Sequence, residues 1–409
     1  MTNLPQGWKW KSLGEIFNIE RGGSPRPIKE FLTDKEDGIN WIKIGDIKNQ
    51  KYLYATEEKI TQEGLKKSKL VIEGDLLVSN SMSFGKPVIV KLRKGAIHDG
   101  WLLLKEKINL NKEYFYYLFS SNFMYNLLSY QASGSTVKNL NIDKLTQIQV
   151  PLPPLKEQER IVGILDESFA NIDESIKILE QDLLNLDELM QSALQKAFNP
   201  LKDNSKGNYQ LPQGWEWKSL GEICEINPRN KVDDEINISF ISMDKILDGY
   251  NNKFSYVIKK WKDVKKGFTH FKQGDIGLAK ITPCFENKKS VIFNNLENGI
   301  GAGTTELHII RVGNHIISKF LLWFFKTEKF IKNGVLNMTG ATGHKRVPKD
   351  FIKNLQIPLP PLQEQKQIAL YLDELSLNIK DLKQNYQTQI KNLQELKKSL
   401  LDKAFKGRL

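Results

Sequence analysis

The chain repeats itself once, and this internal repeat limits the folds open to it more than any other feature. Residues 4–16 read LPQGWKWKSLGEI, and residues 211–223 repeat them with a single change. The segment PLPPLKEQ at 151–158 returns as PLPPLQEQ at 358–365, again 207 positions later. A unit of about 200 residues is too long for a solenoid repeat, so the sequence predicts a duplicated domain.

The ends of the two copies repeat, whereas their middles diverge. Aromatic and aliphatic residues at helical spacing predict a buried helix at 114–128 and another at 318–331. Short apolar runs bounded by Gly, Asp or Pro predict strands at 40–44, 69–72, 76–79, 87–91, 239–242, 290–293 and 307–311. Each middle is therefore predicted to be a globular α/β (α+β) lobe. The divergence is either drift after duplication or a sign that each lobe recognises something different on a shared frame.

A proline-rich segment and a long helix follow each lobe. Because Pro can neither continue a helix nor donate to a strand ladder, PLPPL predicts a rigid elbow, with a peptide ligand as the alternative. Apolar residues then recur in steps of four and three, which predicts a coiled-coil helix over about 155–198. A second such helix is predicted over about 362–405, with a slip in its repeat after Tyr386.

These features divide the chain into four segments. The globular domains are predicted at 1–150 and 208–357, and the helical spacers at 151–207 and 358–409. The first helix carries the chain from lobe to lobe. The second helix must bury its row of apolar residues, and the nearest apolar row available to it is that of the first helix. We therefore predict an antiparallel helix pair, chain ends that lie close together, and two copies related by a pseudo-twofold axis.

Composition narrows the class of function. Sixty Lys and Arg residues against 48 Asp and Glu give a net charge of +12, and the excess lies mainly in the two lobes, which favours a polyanionic partner there. No apolar run approaches the ~18 residues of a membrane span, and the first residues do not resemble a secretory signal. Two cysteines suit a reducing compartment, so we expect a cytoplasmic protein without a membrane partner.

The sequence lacks the motifs of the common catalytic sites. It contains no GxxxxGK[ST] phosphate loop, no GxSxG elbow, no HExxH helix and no [ND]PP-aromatic tetrad of the kind that amino-methyltransferases use. Five scattered histidines offer no metal-ligand spacing. The sequence therefore predicts a non-catalytic protein with no metal site of its own.

Three features together carry a family resemblance. LPxGWxWxxLGEI opens each half, PLPPLxEQ closes each lobe, and a long helix follows. In this order, twice and over essentially the whole chain, they resemble the specificity subunit of type I restriction–modification systems. The lobes resemble two different variants of the family's target-recognition domain, through segments that include Trp41–Asp46 in the first lobe and Lys280–Asn287 in the second.

The resemblance implies a subunit that directs others to DNA. It implies double-stranded DNA as ligand and, as partners, two adenine-methylating subunits that use S-adenosylmethionine and restriction subunits that use ATP, with Mg²⁺ also expected on partners. The chain itself would bind no cofactor. Its target would be a bipartite, asymmetric sequence, in which each lobe reads one half-site and the antiparallel helices set the spacer. A coiled-coil protein scaffold and a self-sufficient DNA-modifying enzyme are the alternatives.

Candidate DNA contacts lie mainly in turn-rich segments of the lobes. Arg and Lys can contact guanine, Asn and Gln can contact adenine, and glycine lets the backbone approach a phosphate. We predict contacts from Arg21, Ser24, Arg26, Asn80, Ser81, Ser83, Lys86, Thr136, Lys138, Asn139, Lys280, Thr282, Thr304, Thr305, Thr342, His344, Lys345 and Arg346.

Two further groups of residues each have two interpretations. Trp8, Trp10, Trp215 and Trp217 could stack on bases, but they lie in the most repetitive part of the chain, so we predict that they pack each lobe against the helices. The basic and aromatic cluster at 259–266 is either a nucleic-acid contact or an ordinary solvated face.

Overall fold

The computed structural model describes residues 4–47, 50–80, 85–132, 142–198, 211–341 and 343–409, with backbone only at 131 and 132. The chain forms two compact units. Unit 1 comprises Met1–Leu179 and Thr388–Leu409, and unit 2 comprises Glu180–Gln387. Each unit holds one lobe together with parts of both long helices.

Lobe 1 is the part of unit 1 that precedes the first long helix. Its strands are β1 (Lys9–Ser12), β2 (Phe17–Arg21), β3 (Ile39–Ile42), β4 (Tyr52–Leu53), β5 (Glu58–Ile60), β6 (Lys69–Ile72), β7 (Leu76–Ser79), β8 (Pro87–Val90), β9 (Lys94–Ile97), β10 (Trp101–Glu106) and β11 (Gln149–Leu152). Its helices are α1 (Leu13–Ile16), α2 (Gln62–Leu65), α3 (Lys112–Ser120), α4 (Asn122–Ala132) and α5 (Ile142–Thr146), and the long helix α6 (Leu155–Phe198) follows.

Lobe 2 is the part of unit 2 between the long helices. Its strands are β12 (Glu216–Ser219), β13 (Cys224–Ile226), β14 (Asn237–Ile241), β15 (Val257–Lys260), β16 (Thr269–Lys272), β17 (Ile276–Ala279), β18 (Ser290–Ile292), β19 (Ile300–Gly303), β20 (Leu307–Val312) and β21 (Gln356–Leu359). Its helices are α7 (Leu220–Ile223), α8 (Trp261–Val264), α9 (Ser318–Phe325), α10 (Glu328–Leu336) and α11 (Lys349–Asn354), followed by the long helix α12 (Leu362–Ala404). None of the described helices is both long and apolar enough to cross a membrane.

Each lobe contains two main sheets and a two-stranded ribbon. The strand orders in lobe 1 are β2-β10-β7-β8-β4 and β5-β3-β9-β6, with β1 paired to β11. The orders in lobe 2 are β13-β20-β17-β18 and β15-β14-β19-β16, with β12 paired to β21. Most neighbours are antiparallel, but β3 runs parallel to β9, β4 to β8 and β14 to β19. The predicted α/β (α+β) class is confirmed, and the same plan recurs although the two middles differ in sequence.

The structure corrects the predicted lobe helices. The segment expected as one helix is two helices in each lobe, α3 with α4 and α9 with α10. The Ser121 hydroxyl accepts from the Met124 backbone N–H at 3.2 Å, and the Thr327 hydroxyl accepts from the Phe330 N–H at 3.3 Å. Such a capping hydroxyl satisfies a free N–H at the start of a helix, so a second helix begins there. The apolar pattern hides the break because it continues on both sides.

The elbow motif PLPPLxEQ places a buried glutamine in the first turn of each long helix, where it contacts the lobe. Gln158 Nε2 donates to the carbonyl of the motif's second proline at 2.9 Å, and Oε1 accepts from the Asn111 N–H at 2.8 Å. Gln365 repeats both contacts, to the equivalent proline at 2.8 Å and from Ile317 at 2.9 Å. Asn111 and Ile317 are the N-caps of α3 and α9, so each glutamine ties the elbow to the start of a lobe helix.

The repeated tryptophans differ in burial. Trp8 is buried in the lobe 1 core, in one cluster with Ile161 of α6. Trp215 donates its indole N–H to Glu364 of α12 at 3.0 Å. The packing prediction is confirmed for these two residues and is wrong for Trp217, which exposes 46% of its surface. Because β12 forms only a two-stranded ribbon, one of its faces stays in solvent.

Both long helices have the predicted extent to within a residue. In unit 1, Asp173 of α6 pairs with Lys397 of α12 at 2.5 Å, and the Arg160 guanidinium donates to the Leu409 carbonyl at 3.1 Å. As the residue number increases along α6, the residue number of the contacting partner near the end of the chain decreases, which confirms antiparallel pairing within unit 1. Leu4 packs against the same hydrophobic cluster as Leu409. The pseudo-twofold axis stays a prediction.

Candidate nucleic-acid interface

Several strand ends meet at one edge of the larger sheet of lobe 1. β2 ends at Arg21, β7 ends at Ser79, and the antiparallel β10 begins between them at Trp101. The loops after β2 and β7 and the loop before β10 therefore share this edge, where the Asn80 N–H donates to the Gly100 carbonyl at 2.7 Å. The topology brings predicted residues from distant parts of the sequence to one place.

Asp99, in the loop before β10, contacts three of the predicted residues, at the end of β2 and in the loop after it. Its carbonyl accepts from Arg21 Nε at 3.0 Å, its Oδ1 accepts from the Ser24 hydroxyl at 2.7 Å, and its Oδ2 lies 3.8 Å from an Arg26 guanidinium nitrogen. The Ser24 hydrogen bond lowers the pKa of Asp99, so the carboxylate stays charged. Arg26 exposes 83% of its side chain, which leaves its guanidinium available to an external acceptor.

The loop after β7 contains predicted residues in two different environments. Lys86 is exposed, and its backbone N–H is held by the Ser79 hydroxyl at 2.9 Å. Asn80 is fully buried, and its amide has no hydrogen-bond partner among the described residues. A base contact from Asn80 would require that side chain to become exposed. The remaining predicted residues Ser81, Ser83, Thr136, Lys138, Asn139 and Thr342 lie outside the described part of the chain.

Lobe 2 builds the equivalent edge from different residues. β13 and β17 end where β20 begins, with Ala279 opposite Leu307. The Lys280 N–H donates to the Glu306 carbonyl at 3.0 Å, so the loop after β17 adjoins the loop before β20. Predicted residues from both loops therefore lie together, as they do in lobe 1.

The segment 343–347 closes against this edge. The Thr282 N–H donates to the Lys345 carbonyl at 3.1 Å. Arg346 Nε and Nη2 reach the two carboxylate oxygens of Glu306 at 2.8 and 2.9 Å, and this ion pair lowers the pKa of Glu306. The pair orients the guanidinium and at the same time occupies part of it. Arg346 therefore holds the loop in place, while Lys345 stays exposed and carries no ion pair in the described structure.

Three further predicted residues complete the lobe 2 edge. His344 and Thr305 are exposed. Thr304 is partly buried, and its hydroxyl accepts from the Glu306 N–H at 3.2 Å, which gives it a role in shaping the loop. The structure thus brings together every described predicted residue of lobe 2.

Arg229 is an edge residue that the sequence reasoning missed. It follows β13, and with Lys280 and Thr305 it lines a cavity of about 330 Å³. Its guanidinium donates to the Phe268 carbonyl at 2.9 Å. A signal was available, because Arg229 follows the second copy of the opening motif at almost the distance at which Arg21 follows the first.

The basic cluster at 259–266 does not form a free cationic patch. Lys260 and Lys262 both pair with Glu235, at 2.5 and 2.8 Å, and Lys265 pairs with Asp234 at 2.6 Å. These lysines are exposed or partly exposed, as a solvated face requires, and acidic neighbours balance much of their charge.

Both halves of the chain match one protein family. The type I restriction modification DNA specificity domain matches residues 5–183 and again residues 212–392. The chain belongs to this family. The match begins in each opening motif and extends into each long helix, so the resemblance seen in the repeats is confirmed.

Individual relatives support the same assignment. The specificity subunits of the type I restriction enzymes EcoAI and EcoEI from Escherichia coli are 46% and 40% identical over 243 residues. These matches cover 58% of this chain and 41% of each relative, so the chain aligns with less than half the length of those two proteins. The MjaIX specificity subunit of Methanocaldococcus jannaschii is 24% identical over 99% of this chain and 94% of that protein.

Solved structures share the fold. A chain from a type I R-M system, determined in work on its complex assembly and conformational transition, superposes with a TM-score of 0.75 at 22% identity over 100% of both chains. The HsdS subunit from Thermoanaerobacter tengcongensis superposes with a TM-score of 0.66 at 22% identity, over 100% of this chain and 99% of that one.

Proposed function

We propose that this protein is the DNA-recognition subunit of a type I restriction–modification complex. Each lobe reads one half-site through the edge described above, and the paired long helices set the spacer between the half-sites. The observation that carries the proposal is that both lobes place basic and hydroxyl-bearing residues from separate loops at the corresponding strand-end edge.

The chemistry of the edge fits duplex DNA. Lysine and arginine on exposed loops can neutralise phosphates and reach guanine in the major groove, whereas hydroxyl groups can contact either. Because the Asp99 carbonyl holds Arg21 and the Glu306 carboxylate holds Arg346, part of each edge is held in shape before DNA binds. The two edges differ in sequence, so the two half-sites should differ as well.

The chain would act without catalytic residues of its own. Two modification subunits would supply methyl transfer from S-adenosylmethionine, and restriction subunits would supply ATP- and Mg²⁺-dependent steps. We place the complex in the cytoplasm. The family assignment and the lack of a catalytic motif in the sequence support this division of roles.

The test is selection of DNA sites by the complex reconstituted with its modification subunits. The complex is mixed with randomised duplexes, and the bound fraction is sequenced. Arg26→Ala in lobe 1 should relax the base preference of one half-site, and Lys345→Ala in lobe 2 should affect only the other. If the lost contact is to a base, each variant should weaken binding by about 1–3 kcal/mol; if it is to a phosphate, the slope of log affinity against log salt concentration should fall by about one unit.

Matched controls lie at the opposite ends of the same lobes. Arg93→Ala precedes β9, and Lys353→Ala lies in α11, beside Gly221 of α7. Both residues are exposed and should leave the selected site unchanged. Selection that is unaffected by both edge variants, or equally affected by the controls, would contradict the proposal.

The two alternatives make different predictions. A protein scaffold would show no sequence preference and no linear fall of log affinity with log salt concentration. A self-sufficient enzyme would bind S-adenosylmethionine or cleave DNA as the purified chain alone. Either result would replace the proposed function.

A further inference from the structure

A second polar contact joins each lobe to its long helix beyond the elbow glutamine. In unit 1, Asp166 of α6 accepts from Lys51 Nζ at 2.7 Å and from the Tyr117 hydroxyl. Lys51 also lies 3.2 Å from Glu113 and 4.8 Å from the centre of the Tyr117 ring. Burial and then the Asp166 carboxylate raise the pKa of Tyr117, so its hydroxyl keeps the proton that it donates.

Unit 2 builds the same contact from different side chains. Asp373 of α12 lies 207 residues after Asp166, and its Oδ1 accepts from the Trp323 indole N–H at 2.9 Å. Its Oδ2 pairs with Lys319 Nζ at 2.6 Å. In both units an aspartate on the long helix thus receives one hydrogen bond from an aromatic donor on a lobe helix and one from a lysine.

Two contacts on one helix define an angle. Gln158 and Asp166 are eight residues apart, as are Gln365 and Asp373, which is about 12 Å along a helix. A slip of about 1 Å at the aspartate would rotate the lobe by about 5° around the glutamine. A globular lobe of about 150 residues is nearly 40 Å across, so its far side would move by about 3 Å. That displacement is close to the rise of one DNA base pair, ~3.4 Å.

We propose that Asp166 and Asp373 are positioning residues that fix the angle of each lobe on its long helix and thereby determine which spacer length the complex accepts. The inference rests on the proposed function and adds residues to it that touch no base. The glutamine fixes the point about which the lobe could rotate, and the aspartate contact prevents that rotation. The aspartates affect the distance between half-sites and not the identity of the bases read.

The test uses the complete complex and duplexes that carry both half-sites with spacers of varied length. Asp166→Ala and Asp373→Ala each lose the contacts from both the aromatic donor and the lysine. Binding to spacers one base pair longer or shorter, relative to the native spacer, should therefore rise by at least roughly fivefold, which corresponds to the loss of one hydrogen bond. The half-site sequences should be unchanged. Tyr117→Phe removes only the hydroxyl donor, whereas Trp323→Phe removes the indole N–H together with part of the buried ring. Both variants should shift the preference in the same direction.

Glu167→Ala and Glu374→Ala are the matched controls. Each lies one residue after its aspartate, is exposed and has no ion pair in the described structure, so each should keep the native spacer preference. If the aspartate variants do not fold, the Phe variants decide the question. A native spacer preference in folded aspartate or Phe variants would overturn the inference and leave the proposed function intact. A wild-type complex that selects no bipartite site would overturn both.

Discussion

The repeated elbow motif makes a quantitative prediction about its buried glutamine. Gln365 is fully buried and makes three hydrogen bonds, to the Pro360 carbonyl at 2.8 Å, to the His315 carbonyl at 2.9 Å and from the Ile317 N–H at 2.9 Å. Gln158 is 2% exposed and makes two such bonds. Leucine fills a similar volume but can make none of them.

The expected cost follows from the number of groups left without a partner. Each buried donor or acceptor that loses its hydrogen bond costs about 1–3 kcal/mol, and the added apolar contact of leucine recovers part of this. We expect Gln365→Leu to destabilise lobe 2 by about 3–5 kcal/mol and Gln158→Leu to destabilise lobe 1 by about 2–3 kcal/mol. Gln363→Leu, at an exposed position two residues earlier, should change stability by less than about 0.5 kcal/mol.

Hydrogen exchange measures the effect where it arises. The Ile317 amide donates directly to Gln365, so its exchange should accelerate by about 100-fold or more in Gln365→Leu for a loss of about 3 kcal/mol. Urea unfolding of the same variant supplies the global value. The reasoning would be refuted if Ile317 kept its protection, if Gln363→Leu were as harmful as Gln365→Leu, or if Gln158→Leu were the more harmful of the two glutamine variants.

Two further predictions concern buried cations and histidines in lobe 2. Lys326 Nζ donates to four backbone carbonyls at 2.7–2.9 Å. Lys326→Met should therefore lower the free energy of unfolding by about 3–5 kcal/mol, whereas Lys329→Met, at an exposed position, should not. Equal urea midpoints for the two variants would contradict this prediction. Burial lowers the pKa of His308 below its ordinary 6.5, so as the pH falls the unfolded chain is protonated at this histidine before the folded chain is. The stability that the neutral His308 contributes to the fold is therefore present above pH ~6.5 and is lost as the pH falls below that value. His308→Gln should weaken this loss of stability between pH 7 and 5, measured as the pH profile of the urea midpoint.

The long helices could be predicted to within a residue because one physical requirement governs them throughout. A coiled-coil seam must return every three or four residues, and α6 keeps that rhythm from Leu165 to Ala197. The prolines before each helix exclude an earlier start. The lobe helices were harder, because Ser121 and Thr327 act as caps only when the chain turns there, and a hydroxyl in a sequence does not reveal that turn.

The loops that meet at the candidate interface could be predicted in part. Several of them are marked in the sequence, because Gly, Ser, Thr and basic residues follow apolar runs; their contact with DNA stays a prediction. Asp99 and Glu306, the acidic residues that hold these loops, were not predicted, because their contacts depend on strand register between distant segments. Ser24 and Asp99 are 75 residues apart in sequence, and Glu306 and Arg346 are 40 apart. Asn80 shows the opposite error: a polar residue at a strand end was expected to face DNA, but it is buried beside β10.

The arrangement of lobe 1 bears on why the two middles diverge while the ends repeat. The first residue of β2, Phe17, belongs to the core that includes Ile161 of α6, and the last residue, Arg21, lies at the candidate DNA edge. Four steps along a strand separate them by about 14 Å. The β1–β11 ribbon and the contact with α6 therefore lie at one end of the sheet and the loops at the other. Under the proposed function, substitutions at the edge would change the bases read without disturbing the joint. This favours divergence by recognition over uniform drift, since drift would also have altered the tryptophan and glutamine motifs.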